Sequence, residues 1–138
     1  MMTNLELARL LLDFGLVVLI WMVQLLIYPS FKYYSTTSLL KWHSRYTFNM
    51  ALIVIPFMFG QLIIYTVQVF QEQSFFYVFG MIVVILLWLS TFLQFVPLHQ
   101  AITNNKFSSN TLSQLVVRNW IRTALWSVLF IWSLVDVF

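Results

Sequence analysis

Residues able to move a proton or hold an anion are few in this chain. His43 and His99 are its only histidines, and Arg122 follows Asn119 by about one helical turn. Imidazole, guanidinium and amide side chains are among the few groups in this chain that could take part in chemistry. His43, His99, Arg122 and Asn119 are therefore the candidate catalytic residues.

Four long apolar stretches must position these residues, at about 5–28, 47–70, 75–96 and 112–137. About 20 apolar residues in a helix cross the core of a bilayer. The chain is 62% hydrophobic and only 8% charged, whereas a soluble domain carries about 25% charged residues. Short connections join the stretches, so we predict an all-α fold: one domain over 1–138, an integral membrane four-helix bundle with up-down-up-down topology.

Prolines interrupt the ends of two of these stretches. Tyr28 precedes Pro29, and a residue before proline avoids the α region, so we expect the first helix to end there. Pro97 follows the third stretch, and we expect residues 98–103 to continue that helix beyond a bend.

The distribution of basic residues predicts the orientation. The two longer connections, 31–41 and 104–110, fall at the same end of such a bundle. Arg9 is the only basic residue toward the other end. The positive-inside rule places the basic connections in the cytoplasm and both termini outside. The pI near 9.5 therefore reflects residues beside the bilayer rather than binding to nucleic acid. The basic residues near the longer connections are Lys32, Lys41, Arg45, Lys106, Arg118 and Arg122.

Polar side chains from all four spans gather at this basic end, so we expect them to line one cytoplasm-proximal cavity. The helical period aligns Arg122 with Asn119 on the fourth span and Gln24 with Asp13 on the first. Arg122 lies about three turns inside its helix, where an unpaired charge in lipid costs several kcal/mol, so it should face inward. The expected substrate-binding residues are Tyr28, Gln24, Arg45, Thr123 and Trp126.

Several of these polar residues also have a purely structural interpretation. A histidine at a helix end is often solvated, and Arg118 suits a residue that reaches the lipid headgroups. Gln24 and Gln61 suit inter-helix hydrogen bonds worth about 1 kcal/mol each. Gln61 shares a helix face with His43 but lies about 27 Å from it along the axis, too far to contact the same small ligand.

A metal site is not expected. The chain has two histidines and no cysteine, and Asp13, Glu72 and Asp136 are assigned to the opposite face, whereas a catalytic metal generally has three protein ligands. A haem needs only one or two axial ligands, so a haem held by His43 and His99 is the lesser alternative. No other cofactor is expected.

Two motifs in the second half of the chain resemble a known family. Val96-Pro97-Leu98-His99 and Asn119-Trp120-Ile121-Arg122-Thr123 are similar to segments of the anthrone-oxygenase-like family of small four-helix membrane proteins. The second motif is complete, whereas the first has His99 where the family more often has asparagine. Tyr28-Pro29 and Trp42-His43-Ser44-Arg45-Tyr46-Thr47 resemble a bacterial branch, which implies a multi-pass protein of the bacterial inner membrane.

The resemblance implies oxidation of a reduced tricyclic aromatic compound by dioxygen without an obvious cofactor. His43 or His99 would then act as the base, and Arg122 and Asn119 would stabilise the oxyanion. A non-enzymatic lipid- or quinone-binding protein, or an accessory subunit of a membrane complex, is the alternative. All three functions require a lipid bilayer, and the oxygenase and the lipid- or quinone-binding protein also require a small apolar or aromatic ligand. The sequence points to no particular protein partner.

Overall fold

Four helices account for nearly all of the protein, and the computed structural model describes residues 1–138. We name them α1 (Asn4–Tyr33), α2 (Thr36–Gln71), α3 (Phe75–Thr103) and α4 (Ser109–Val137). Each helix is long and apolar enough to cross a membrane, and the chain forms no strand. The predicted all-α fold is confirmed, and each predicted stretch lies within one helix.

Two of the helices contain a π-helical turn just before a proline. Val23–Ile27 precedes Pro29 in α1, and Thr91–Phe95 precedes Pro97 in α3. Proline lacks an N–H and clashes with the carbonyl four residues earlier. A π turn has wider i→i+5 spacing and accommodates that defect without ending the helix.

These turns overturn one expectation and rotate the residues that follow them. The prediction that α1 ends before Pro29 is wrong, because the helical path continues to Tyr33. The continuation of α3 to Thr103 agrees with the expectation for residues 98–103. A π turn holds more residues than an α turn, so Tyr28 and His99 are rotated about their helix axes relative to an unbroken α-helix.

Polar groups lie inside the bundle and apolar side chains cover its outside. Arg9, Asp13, His43 and Asn119 are fully buried among apolar neighbours such as Leu16. The exposed large hydrophobic side chains occur on all four helices. This arrangement is the reverse of a soluble bundle, in which the charged groups face outward.

A glycine allows α2 and α3 to approach closely near one end of the bundle. A Cβ added at Gly80 would lie 2.3 Å from Cε1 of Tyr65. Tyr65 is fully buried, and its hydroxyl donates a hydrogen bond to Asp13. The ring therefore cannot move aside without breaking that bond.

We predict that Gly80→Ala destabilises the protein by about 1–3 kcal/mol, because the added methyl group overpacks the Tyr65 ring. Gly60→Ala is the matched control, since its Cβ would meet only the end of the flexible Leu12 side chain, at 3.1 Å. Thermal unfolding in detergent micelles measures both variants. Equal melting temperatures for the two variants would contradict this packing.

Candidate functional site

One large apolar cavity lies inside the bundle, toward the end where the two histidines are found. Its volume is about 500 Å³, and 17 of its 23 lining residues are hydrophobic. Small-ligand sites usually measure about 300–1,000 Å³ and are mostly apolar with a few polar groups. The polar side chains in this wall include Tyr28, Tyr46, His99 and Arg122. The cavity therefore has the size and character of a binding site for a small apolar molecule.

The cavity opens between α2 and α3. Its lining includes Ile55 and Phe59 of α2 and Phe92 of α3, and about half of each of these side chains is exposed. Most lining residues from α1 and α4, such as Leu16 and Trp126, are buried. Helices α1 and α4 therefore form the closed back wall, and the open side is bordered by apolar side chains.

The two histidines are directly hydrogen-bonded to each other. Nε2 of His43 lies 2.8 Å from Nδ1 of His99, and their rings stack with centroids 5.1 Å apart. The other nitrogen of His99, Nε2, lies 3.0 Å from the Tyr28 hydroxyl. Nδ1 of His43 lies 3.4 Å from Oγ1 of Thr103. His99 lines the cavity, whereas His43 is fully buried and contacts His99 on the side away from the cavity.

Arg122 lies in the wall of the same cavity and is only 7% exposed. Its Nη2 donates a hydrogen bond to Oγ1 of Thr91 at 3.3 Å. Its guanidinium lies over the Phe95 ring at 4.2 Å and near the Trp126 ring at 5.1 Å. The Phe95 ring stacks on Tyr28. Cation–π contacts partly offset the desolvation of the guanidinium, but no carboxylate forms a salt bridge with it.

Three buried N–H groups in this wall have no acceptor. They are Nε of Arg122 and the indole nitrogens of Trp88 and Trp126, and all three residues line the cavity. An unsatisfied buried donor costs about 1–3 kcal/mol, so native proteins rarely leave several of them in one place. The wall is therefore rich in donors and suited to a molecule that carries acceptor oxygens.

The remaining polar residues of α1 and α4 form a separate network beside the cavity. Nδ2 of Asn119 donates to Oε1 of Gln24 at 3.0 Å, and the Thr123 hydroxyl lies 3.4 Å from the same oxygen. Nε2 of Gln24 donates to the carbonyl of Val116. Gln24, Asn119 and Thr123 are absent from the cavity lining, so this network joins α1 to α4.

The predicted site residues thus fall into three groups. Tyr28, His99, Arg122 and Trp126 line the cavity, and His43 supports His99 from behind. Gln24, Asn119 and Thr123 pair with one another. Arg45 is exposed on α2 and does not line the cavity, because its position on the helix turns it away from the side that holds His43 and Tyr46.

Sequence reasoning missed four contributors to the site. Tyr46 and Trp88 line the cavity, Thr91 accepts a hydrogen bond from Arg122, and Phe95 packs against both Arg122 and Tyr28. Thr91 and Phe95 are both in the π turn of α3. The signal that could have found them is Pro97, because a proline within a membrane helix commonly accompanies local π adjustment.

A second polar cluster lies at the opposite end of the bundle. Arg9 donates to Ser133 at 2.8 Å, to Gln68 at 3.2 Å and to Asp136 at 2.5 Å. Asp13 accepts hydrogen bonds from Gln61 at 2.6 Å and from Tyr65 at 3.0 Å. Each charged group in this cluster has partners, which indicates a structural role in joining α1, α2 and α4.

Comparison of the chain with protein-family models, with curated proteins and with solved structures finds no match. The geometry of the site therefore carries the functional argument. No three side chains of His, Asp or Glu come together in the structure.

We predict that Arg9→Met destabilises the protein by about 3 kcal/mol, because removing one partner leaves buried polar groups unpaired. Arg118→Met is the control: Arg118 is exposed and forms no ion pair, so a change within about 0.5 kcal/mol is expected. Denaturant unfolding in micelles measures both. A loss in Arg9→Met no larger than in Arg118→Met would show that the cluster contributes little.

Proposed function

We propose that this chain is a multi-pass protein of the bacterial inner membrane that binds a lipid-soluble ligand. The ligand has an apolar ring system or chain and at least one carbonyl or phenolic oxygen. It enters the cavity between α2 and α3, and its oxygen contacts Arg122, Trp126 and the Tyr28–His99 pair. The observation that carries this proposal is the set of buried N–H donors without acceptors in the wall of one apolar cavity.

The surface of the bundle supports insertion in a membrane. Leu26, Leu52, Leu93 and Ile121, one from each helix, are all more than 60% exposed. Such a surface is unfavourable in water, whereas polar groups inside the bundle suit a protein surrounded by lipid. The ligand would then reach the opening between α2 and α3 from the bilayer, which favours a lipid-soluble molecule.

The contacts at both ends support an up-down-up-down order. Tyr28 near the end of α1 meets His99 near the end of α3. Arg9 near the start of α1 meets Gln68 near the end of α2 and Ser133 near the end of α4. Both termini then lie on one side, and the positive-inside rule assigns that side to the exterior.

The type of ligand follows from the chemistry of the donors. Arg122 offers a charged N–H, and the indoles of Trp88 and Trp126 offer neutral ones. These groups pair with oxygen acceptors, which a pure hydrocarbon lacks. Carbonyl-bearing aromatic compounds and quinones combine such acceptors with the apolar surface that the rest of the cavity requires.

An oxygenase-like reaction is the second candidate, favoured by the presence of His99 in the same wall as Arg122. His99 would take a proton from an acidic C–H of a tricyclic substrate by way of the Tyr28 hydroxyl, which contacts its Nε2, and Arg122 would stabilise the resulting enolate oxygen. Dioxygen would then convert the CH₂ group to a carbonyl, with its second oxygen atom leaving as water. Asn119, engaged with Gln24, would act indirectly by supporting α4.

A bis-histidine haem is less well supported. A metal held between two imidazole nitrogens separates them by about 4 Å, since each bond is about 2 Å long. Nε2 of His43 and Nδ1 of His99 are only 2.8 Å apart. The distance is that of a hydrogen bond, which favours a pair of imidazoles that share a proton.

The topology is tested by cysteine labelling, because the natural chain has no cysteine. We predict that Tyr34→Cys and Lys106→Cys are protected from a membrane-impermeant maleimide added to intact cells, whereas Gln73→Cys reacts. Permeabilised cells provide the control for reactivity. Labelling of Tyr34→Cys and Lys106→Cys from opposite sides of the membrane would refute the bundle order.

The ligand class is tested with a pair of probes that differ in their acceptor oxygens. We predict that 2-methyl-1,4-naphthoquinone binds the protein in lipid nanodiscs at least about tenfold more tightly than 2-methylnaphthalene, because a charged donor contributes about 1.5–3 kcal/mol. Arg122→Leu should remove this preference, and Arg118→Leu should keep it. Calorimetry against empty nanodiscs measures the affinities.

Two outcomes distinguish the candidate functions. Binding of the quinone together with catalysed conversion of anthrone to anthraquinone would support the oxygenase, and binding without turnover would support a ligand-binding protein. An unchanged quinone preference in Arg122→Leu would contradict both, since both require Arg122 to contact the ligand oxygen.

A further inference from the structure

A continuous line of hydrogen-bonding groups runs from the cavity toward the end of the bundle. It begins at Tyr28, passes through His99 and His43, and reaches Thr103. Tyr28, His99 and Thr103 all line the cavity, and Thr103, the last residue of α3, is also exposed. We infer that Tyr28, His99 and His43 form a proton relay between a ligand in the cavity and the solvent near Thr103.

The chemistry of imidazole gives this line two equivalent arrangements. In the first, the Tyr28 hydroxyl donates to Nε2 of His99, Nδ1–H of His99 donates to Nε2 of His43, and Nδ1–H of His43 donates to Thr103. In the second, Nε2–H of His43 donates to Nδ1 of His99, and Nε2–H of His99 donates to the Tyr28 oxygen. Both use the same three contacts, the longest being the 3.4 Å between His43 and Thr103, because each neutral imidazole has one donor and one acceptor nitrogen.

Passage of one proton converts the first arrangement into the second. A ligand O–H gives its proton to the Tyr28 oxygen, and Tyr28 gives its own proton to Nε2 of His99. His99 then gives its Nδ1 proton to Nε2 of His43, and His43 releases its Nδ1 proton beside Thr103. One proton enters and one leaves, so both rings stay neutral. The ligand anion that remains lies in the cavity that Arg122 lines.

The groups around the two histidines favour proton transfer in which both imidazole rings stay neutral. The titratable groups facing the histidine pair are Tyr28 from α1, Tyr46 from α2 and Arg122 from α4. None of them is a carboxylate, so no negative group stabilises an imidazolium ion here. The nearby positive charge of Arg122 disfavours an imidazolium further and favours an anionic ligand.

The relay rests on the proposed function, because it needs a ligand in the cavity. It specifies the class of that ligand: a phenol, a hydroquinone or an enol that gives up a proton. Tyr28, His99 and His43 act on the ligand through this line, and only Tyr28 and His99 are in the cavity wall. His43 is therefore a positioning and relay residue and not a ligand contact.

The relay is tested by ¹⁵N NMR of histidine-labelled protein in nanodiscs, where only two histidines contribute signals. We predict that both tautomers of each ring are populated. Tyr28→Phe should change the tautomer ratio of His43 by about fivefold, the effect of one hydrogen bond, although Tyr28 contacts His99 and not His43. Thr103→Val, at the exposed end of the line, should change the ratio of His99 in the same way.

Tyr46→Phe is the matched control. Its ring packs against both histidines, but its hydroxyl bonds to neither, so the ratios should stay unchanged. A single fixed tautomer in the natural protein, or an unaltered His43 in Tyr28→Phe and an unaltered His99 in Thr103→Val, would overturn the relay. The spectra need no ligand, so failure of the quinone to bind would refute the proposed function separately.

Discussion

The buried guanidinium of Arg122 is the group on which the arrangement of the rest of the site depends. No carboxylate neutralises it, and it contacts the Thr91 hydroxyl and the faces of two aromatic rings. These contacts leave Nε without a partner. A buried charge with incomplete hydrogen bonding is costly, and a ligand oxygen would supply the missing acceptor. Arg122 thus gives a mostly apolar cavity one position suited to an acceptor oxygen.

The two π turns connect the sequence to this geometry. Pro29 and Pro97 each follow a widened turn, and Tyr28 and Phe95 lie in or directly beside those turns. The turns therefore place the Tyr28 ring against Phe95, and Phe95 under Arg122. Helices α1 and α3 contribute to the site through local departures from α-helical geometry, and such departures are frequent at functional positions.

Hydropathy and charge predicted much of the fold, because a helix in an apolar solvent must be long, apolar and free of unpaired charge. The burial of Arg122 was predictable from its depth in α4 for the same reason. The direction of the Arg45 side chain was not predictable, since a residue near a helix end can face either lipid headgroups or the interior. The pairing of Gln24 with Asn119 was not predictable either, because it depends on how α1 and α4 are rotated relative to each other. The π turns change that rotation by amounts that a fixed period of 100° per residue does not contain.

The most direct test of the account is the ¹⁵N–H signal of Arg122 Nε, recorded in nanodiscs before and after addition of 2-methyl-1,4-naphthoquinone. Signals are assigned by their absence in Arg122→Leu. If the unpaired donor receives the ligand oxygen, this signal shifts and its exchange with water slows, while the signal of exposed Arg118 stays unchanged. A bound quinone that leaves the Arg122 signal unaltered would contradict the account.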